Sequence, residues 1–176
     1  MVVALDIIPE CYVDTTLVSV LLGGIGVNHQ KSCNNVVAKM REKFGDEFAV
    51  GIIDNDKRRP GYLDEFNCVA HSAHLQVLKH PDKSHFIITV SPASEGFVLS
   101  VVEQNGLSMA AYGLPGDIAG LKKITKSIVS SKDVRLVNLF KDLRHCGECE
   151  ILRKVLEYLM QMRYNARNED LLALFK

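Results

Sequence analysis

The stretch Phe48-Ala49-Val50-Gly51-Ile52-Ile53-Asp54-Asn55-Asp56 restricts the fold of this 176-residue chain more than any other. An apolar run too short for a helix stops at two acids one residue apart. Such a run reads as a strand buried on both faces, as at the centre of a parallel sheet. Its carboxyl end is where open α/β sheets build ligand sites. On an extended backbone Asp54 and Asp56 point the same way. Neighbouring carboxylates repel unless a cation or a proton lies between them, and a hard divalent ion, most simply Mg²⁺ (or Mn²⁺), satisfies both. The competing reading is a solvated turn, which Asp and Asn favour.

Upstream, Val2 to Ile8 is a β-branched run that Pro9 stops, leaving Glu10 at a second strand end. Tyr12 to Leu22 carries a helical apolar pattern that ends at Gly23-Gly24, with Asp14 four residues beyond Glu10. Gly23-Gly24-Ile25-Gly26 follows a helix and lacks a Gly-Lys-Ser/Thr ending, so it reads as a helix stop rather than a phosphate loop. Val36 to Phe44 reads as a second helix, and the central strand follows. Lys57-Arg58-Arg59-Pro60-Gly61 is a basic turn: its cations either contact a phosphate held at the acids or compensate charge on an exposed loop.

Strands are expected over Asn67 to His71, Leu75 to Lys79 and Phe86 to Val90. Ser91-Pro92 then reads as an N-cap with proline at the first helical position, opening a helix that runs to Asn105-Gly106. Glu95, in its first turn, either faces the site or complements the helix dipole. From Gly113 onward the pattern is helical, roughly 118–129, 134–144, 150–164 and 168–175. That divides the chain into an α/β part over 1–112 and a helical extension over 113–176 packed on it. Cys146 and Cys149 are half a zinc site with no second knuckle, and read as a turn between helices. His71 and His74 fall on opposite faces of a strand edge, and His85 is a candidate acid–base group.

Composition narrows the class. Hydrophobic content of 47% with 24% charged residues is ordinary for a globular protein that buries a full core. Formal net charge is zero, yet from Asp117 on there are 12 Lys or Arg against 8 Asp or Glu, and before it 9 against 13. The acidic half therefore carries the candidate metal site and the basic half can meet phosphates. Met1 to Ile8 has no basic n-region, no apolar run approaches membrane-spanning length, and five scattered cysteines do not form a disulfide framework. A cytoplasmic protein without a membrane partner is expected.

Together the motifs resemble the TOPRIM domain of primases, topoisomerases, OLD-family nucleases and ribosomal-RNA maturases. Pro9-Glu10-Cys11-Tyr12-Val13-Asp14 is similar to its first motif, a glutamate at a strand end with an acid four residues on. Asp54-Asn55-Asp56 is similar to the second, Asp-x-Asp at the end of a later strand. The resemblance covers roughly the first 90 residues and implies a mainly parallel TOPRIM-like sheet flanked by helices. It also implies Mg²⁺-dependent phosphodiester chemistry on DNA or RNA, as in a small nuclease of defence or RNA processing. Asp54 and Asp56 would hold the metal, and Glu10 would be the general acid/base or complete the metal shell. Asp14 and Glu95 would support them, and Lys57, Arg58 and Arg59 would contact phosphate. Cys11 stands where the family has glycine, and a Lys-Arg-Arg-Pro run follows Asp56. Two alternatives stay open. One is a non-catalytic TOPRIM-like module that binds a nucleotide, nucleic acid or a protein partner, including a second copy of the chain. The other is a phosphatase of the haloacid-dehalogenase type, which carries its Asp-x-Asp after the first strand rather than a later one.

Overall fold

The computed structural model describes residues 3–55, 59–126 and 132–176. The first apolar run is divided. Val3–Ala4 (β1) pairs in parallel with Gly26–Val27 (β3), and Ile7–Pro9 (β2) enters a five-stranded sheet. Leu5 and Asp6 turn between them. The Asp6 carbonyl accepts from the Val50 N–H at 2.8 Å and its carboxylate takes the Arg163 guanidinium, so this residue anchors the turn.

In the main sheet β2 lies beside Ala49–Asp54 (β4), then His85–Val90 (β7), Leu75–Lys79 (β6) and Asn67–His71 (β5). β2, β4 and β7 are parallel, while β6 pairs antiparallel with both β7 and β5. The sheet is thus mixed. Its parallel half needs crossovers, which the helices supply; its antiparallel half returns through short turns. Glu10 N–H donates to Ile52 O and Asn55 N–H to Val90 O, so the ladder runs up to both acidic strand ends.

β4 is covered on both sides, as its unbroken apolar run requires. Val50 and Ile52 join one core, and Ala49 and Ile53 the other. The smaller core is closed by Cys33–Ala38 (α2), the π-helical turns Lys39–Phe44 and the 3₁₀ turn Gly61–Glu65. The larger is closed by Tyr12–Leu21 (α1), Ser94–Gln104 (α3) and the C-terminal helices Ile118–Thr125 (α4), Val134–Leu143 (α5), Gly147–Met162 (α6) and Asn168–Ala173 (α7). Leu17 and Leu21 of α1 share that core with Leu136, Phe140, Leu152 and Leu156, which α5 and α6 present at helical spacing. The protein is an α/β fold with a mixed sheet between helical layers and a helical C-terminal part. α4 is described to Thr125, and residues 127–129 of the expected helix lie outside the described residues.

Two expectations change here. Ser91 does not cap a helix and Pro92 does not begin one, because α3 starts at Ser94 with Ala93 extended before it. Ser91 Oγ instead accepts from Asn55 Nδ2 at 3.0 Å, and its N–H donates to His74 O. The Ser91–Pro92 peptide is cis. His85 is fully buried at the start of β7, paired in register with Ala49, so it sits at the opposite end of the sheet from Asp54. Its Nδ1 lies 2.7 Å from the Tyr62 hydroxyl, and burial pulls its pKa down to about 4. It is a core histidine rather than an acid–base group for the strand-end site.

The Cys146 region begins a helix. Cys146 is the N-cap of α6, and the buried Cys149 thiol is raised to about 12 by desolvation. Glu148 in that first turn accepts from the His74 N–H at 3.3 Å and meets His74 Nδ1 at 2.6 Å, tying α6 to the turn before β6. Among the described residues no helix is long and apolar enough to cross a membrane.

A carboxylate cleft at the strand ends

Glu10 and Asp54 are the last residues of adjacent parallel strands or the first beyond them, which places both carboxylates at one edge of the sheet. The Asp54 N–H donates to Glu10 Oε2 at 3.1 Å. This bond holds the glutamate side chain across the end of the neighbouring strand. Asp54 Oδ1 in turn accepts from the Ser94 N–H at 3.0 Å and from Ser94 Oγ at 2.8 Å. Ala93 offers no side-chain cap, so Asp54 supplies the capping oxygen for α3 from forty residues away. The helix N-terminus favours the negative charge there.

Behind this pair lies Asp14, 1% exposed, with its Oδ1 on Ser94 Oγ and its Oδ2 accepting from the Cys11 thiol at 2.9 Å. Burial, then the Asp54 and Glu10 carboxylates, push the Asp14 carboxyl up from 3.8 to about 8, against the lowering effect of the Cys11 and Ser94 bonds. A serine hydroxyl has one hydrogen to give. Set between two carboxyls, Ser94 bonds both without conflict when Asp14 carries a proton and Asp54 does not. Asp14 is therefore a buried support behind the cleft. Cys11 caps α1 in an extended conformation (φ −126°) that any residue adopts, so no glycine is demanded there. Burial and Asp14 push its thiol far up, which keeps it from acting as a thiolate.

In front of the acids is a cleft of about 450 Å³. Glu10 and Asp54 line it from the strand ends, Cys11, Tyr12 and Val13 from the start of α1, and His29 and Lys31 from the loop before α2. Ala93 and Glu95 face it from the start of α3, and Lys122, Thr125 and Lys126 from the end of α4. Lys122 and Lys126 are four apart, hence on one side of the helix, and cations are favoured at a helix C-terminus. Glu95 is 8% exposed and accepts from Thr125 Oγ1 at 2.6 Å, so this first-turn acid both faces the cleft and fastens α4 over it. The acidic and basic halves of the sequence meet in this cleft.

Asp56, Lys57 and Arg58 lie outside the described residues. Arg59 is exposed and is not among the residues lining the cleft. Among the described residues no group of three His, Cys, Asp or Glu side chains is arranged to hold a metal ion. The donors that do meet, Glu10 and Asp54, are hard oxygens, and Mg²⁺ keeps most of its waters while taking one or two carboxylates together with a phosphate. The pair suits that ion as a partial shell.

Sequence reasoning singled out Glu10, Asp14, Asp54 and Glu95, and the structure brings them to one place. It passed over Ser94, His29, Lys31, Lys122, Thr125 and Lys126. Only the four-residue spacing of Lys122 and Lys126 in a helical segment offers a signal, and nothing local joins it to the strand ends at Pro9 and Asp54. The fold and the site together define an α/β protein with acids at the carboxyl ends of parallel strands beneath a rim of lysines. Comparison with protein-family profiles, with curated proteins and with solved structures gives no match for the chain.

Proposed function

We propose that this protein carries out Mg²⁺-dependent phosphodiester chemistry on nucleic acid, as a small TOPRIM-like nuclease. The observation that carries the proposal is the pairing of Glu10 and Asp54 at neighbouring strand ends, linked by the Asp54 N–H, inside a cleft rimmed by Lys31, Lys122 and Lys126. Glu10 and Asp54, with Asp56, would hold the ion. Bound Mg²⁺ supplies charge stabilisation on the phosphate oxygens. The chain's own residues do the rest: Ser94 and the start of α3 orient Asp54, and the lysines draw the phosphate backbone in. Glu10 completes the ion's shell or moves a proton.

The bonds from Ser94 to Asp54 favour a second reading, in which the acid serves chiefly as a helix cap. The fold is then a non-catalytic module that binds a nucleotide, nucleic acid or protein at the same edge. Incubation with labelled single- and double-stranded DNA and RNA separates the two. Cleavage is expected with Mg²⁺ or Mn²⁺, to be absent in chelator, and to be lost in Asp54→Asn, which keeps a capping oxygen for α3. Joint Lys122→Ala and Lys126→Ala should weaken nucleic-acid binding and flatten its dependence on log salt by roughly 0.7–0.9 for each phosphate contact removed. Cleavage that persists in chelator or in Asp54→Asn overturns the nuclease reading. Metal binding without cleavage supports the module.

A further inference from the structure

Away from the cleft, a serine, a histidine and a glutamate form one hydrogen-bonded chain. His74, in the turn before β6, meets Glu148 Oε2 through Nδ1 at 2.6 Å and Ser100 Oγ through Nε2 at 3.2 Å. The ring also stands edge-on to the buried Phe97, with centroids 6.3 Å apart, so α3 and α6 hold it from two sides. A carboxylate only accepts, so Nδ1 carries the ring proton, and in the neutral ring Nε2 is the acceptor. The single hydrogen of the Ser100 hydroxyl goes to that nitrogen. Ser100 Oγ then accepts from the Gln104 amide nitrogen at 3.1 Å, which leaves that amide a second hydrogen to give. The chain is reachable: the His74 side chain is 20% exposed, Ser100 is half-buried and Gln104 is exposed. Leu99 and Glu103, neighbours of Ser100 on α3, line a depression of about 460 Å³ with Val102, Leu107, Met109 and Ala110. Its mostly apolar wall suits an acyl chain.

We propose that Ser100, His74 and Glu148 form a second reactive centre, which hydrolyses small carboxylic esters with an apolar acyl chain. A hydroxyl within reach of a base that a third group orients is the arrangement that activates a serine, whatever the order in the chain. In the first step Ser100 Oγ bonds to the ester carbonyl carbon as its proton passes to His74 Nε2. The carbonyl electron pair moves onto oxygen, where the Gln104 amide donates to it. The pair then returns and the bond to the alcohol oxygen breaks, that oxygen taking the proton from Nε2. Water repeats both steps on the acyl-serine, which releases the acid and restores the hydroxyl. Glu148 touches no substrate; it is the positioning residue that fixes the His74 ring and its tautomer. The centre uses no metal ion and shares no side chain with the carboxylate cleft.

The test treats the full chain, in chelator, with p-nitrophenyl butyrate and with a fluorophosphonate probe. The ester should give a burst of about one nitrophenol per chain before slower turnover. The probe should leave one adduct, mapped by peptide mass to Ser100, as its phosphorus–fluorine bond breaks and fluoride departs. Ser100→Ala should abolish burst and adduct while melting no lower than wild type, since alanine suits a helix, and its Mg²⁺ affinity should match wild type. His74→Gln should slow adduct formation on the order of 100-fold or more. A long-range ¹H–¹⁵N spectrum of the wild type, with His74 assigned by its absence in that variant, should show Nδ1 protonated and Nε2 bare. Glu148→Gln should weaken that tautomer preference and slow the adduct by about tenfold or more, which loss of a merely structural contact would not do. No adduct at Ser100, an adduct that forms equally fast in His74→Gln, or a ring protonated at Nε2 overturns the inference.

Discussion

Gly51→Val is expected to destabilise the protein by about 3 kcal/mol, or to prevent folding. A Cβ built on Gly51 would lie 2.7 Å from Ile87 Cδ1, 2.8 Å from Val36 Cγ1 and 3.0 Å from Met40 Sδ. All three neighbours are fully buried, so none swings aside into solvent. Gly51 is also paired in register with Ile8 and Ile87, which locks its height in the sheet. The glycine is there for close packing of α2 and its π-helical continuation against the central strand, since its φ is unexceptional. Urea denaturation should show the midpoint falling at constant slope, and at ~2–4 °C per kcal/mol for a chain of this size the melting temperature should drop by roughly 6–12 °C. Gly116→Val is the control, because nothing lies within 4 Å of a Cβ there. A loss below about 1 kcal/mol at Gly51 would contradict this packing.

Asp14→Asn is expected to remove a pH dependence of stability and to stabilise the protein toward alkaline pH. The Asp14 carboxyl is raised in the fold from 3.8 to about 8 by burial and by Asp54. Between those values the folded chain holds a proton that the unfolded chain has released. Stability from this group is therefore fully present below about 3.8 and is lost as pH rises toward about 8, at up to ~1.4 kcal/mol per pH unit. Asparagine stands in for the protonated acid and does not ionise. Urea melts in chelator should show wild type losing stability from pH 5 to pH 8 relative to the variant, with the gap level above pH 8. A gap that stays constant from pH 5 to pH 9, or that widens as pH falls, would contradict the proton assignment. The same proton keeps Ser94 shared between Asp14 and Asp54, so this measurement also probes how the cleft's acids are held.

The strand ends were legible in the sequence because they are local. An apolar run that stops at an acid states both its burial and its polarity, and β4 and β7 follow their runs nearly residue for residue. The helices of the C-terminal part follow their apolar spacing for the same reason. What local pattern could not state was which acid would meet which partner. Ser91-Pro92 carries an N-cap signal, but α3 begins at Ser94 rather than Pro92, where Asp54 supplies the cap from another strand. Asp14 reads from its motif as a support for the metal-binding acids, and only the close approach of α3 shows that it does so buried behind Ser94. Val2 to Ile8 reads as one strand, and its division at Leu5 and Asp6 depends on Val50 and Arg163. His29 carries no local signal, and it lines the cleft because its loop pairs with β2. Each of these turns on a contact across tens of residues.

Glu10 and Asp54, with Asp56 following, are proposed to hold a divalent ion at the strand ends. Calorimetric titration of Mg²⁺ and Mn²⁺ into the wild type and into the Asp54→Asn/Asp56→Asn double variant tests it most directly. Saturable binding to the wild type, lost in a variant that melts at the same temperature, is the predicted result. No binding to the wild type, or equal binding to both, would contradict the claim and leave Asp54 as a cap on α3.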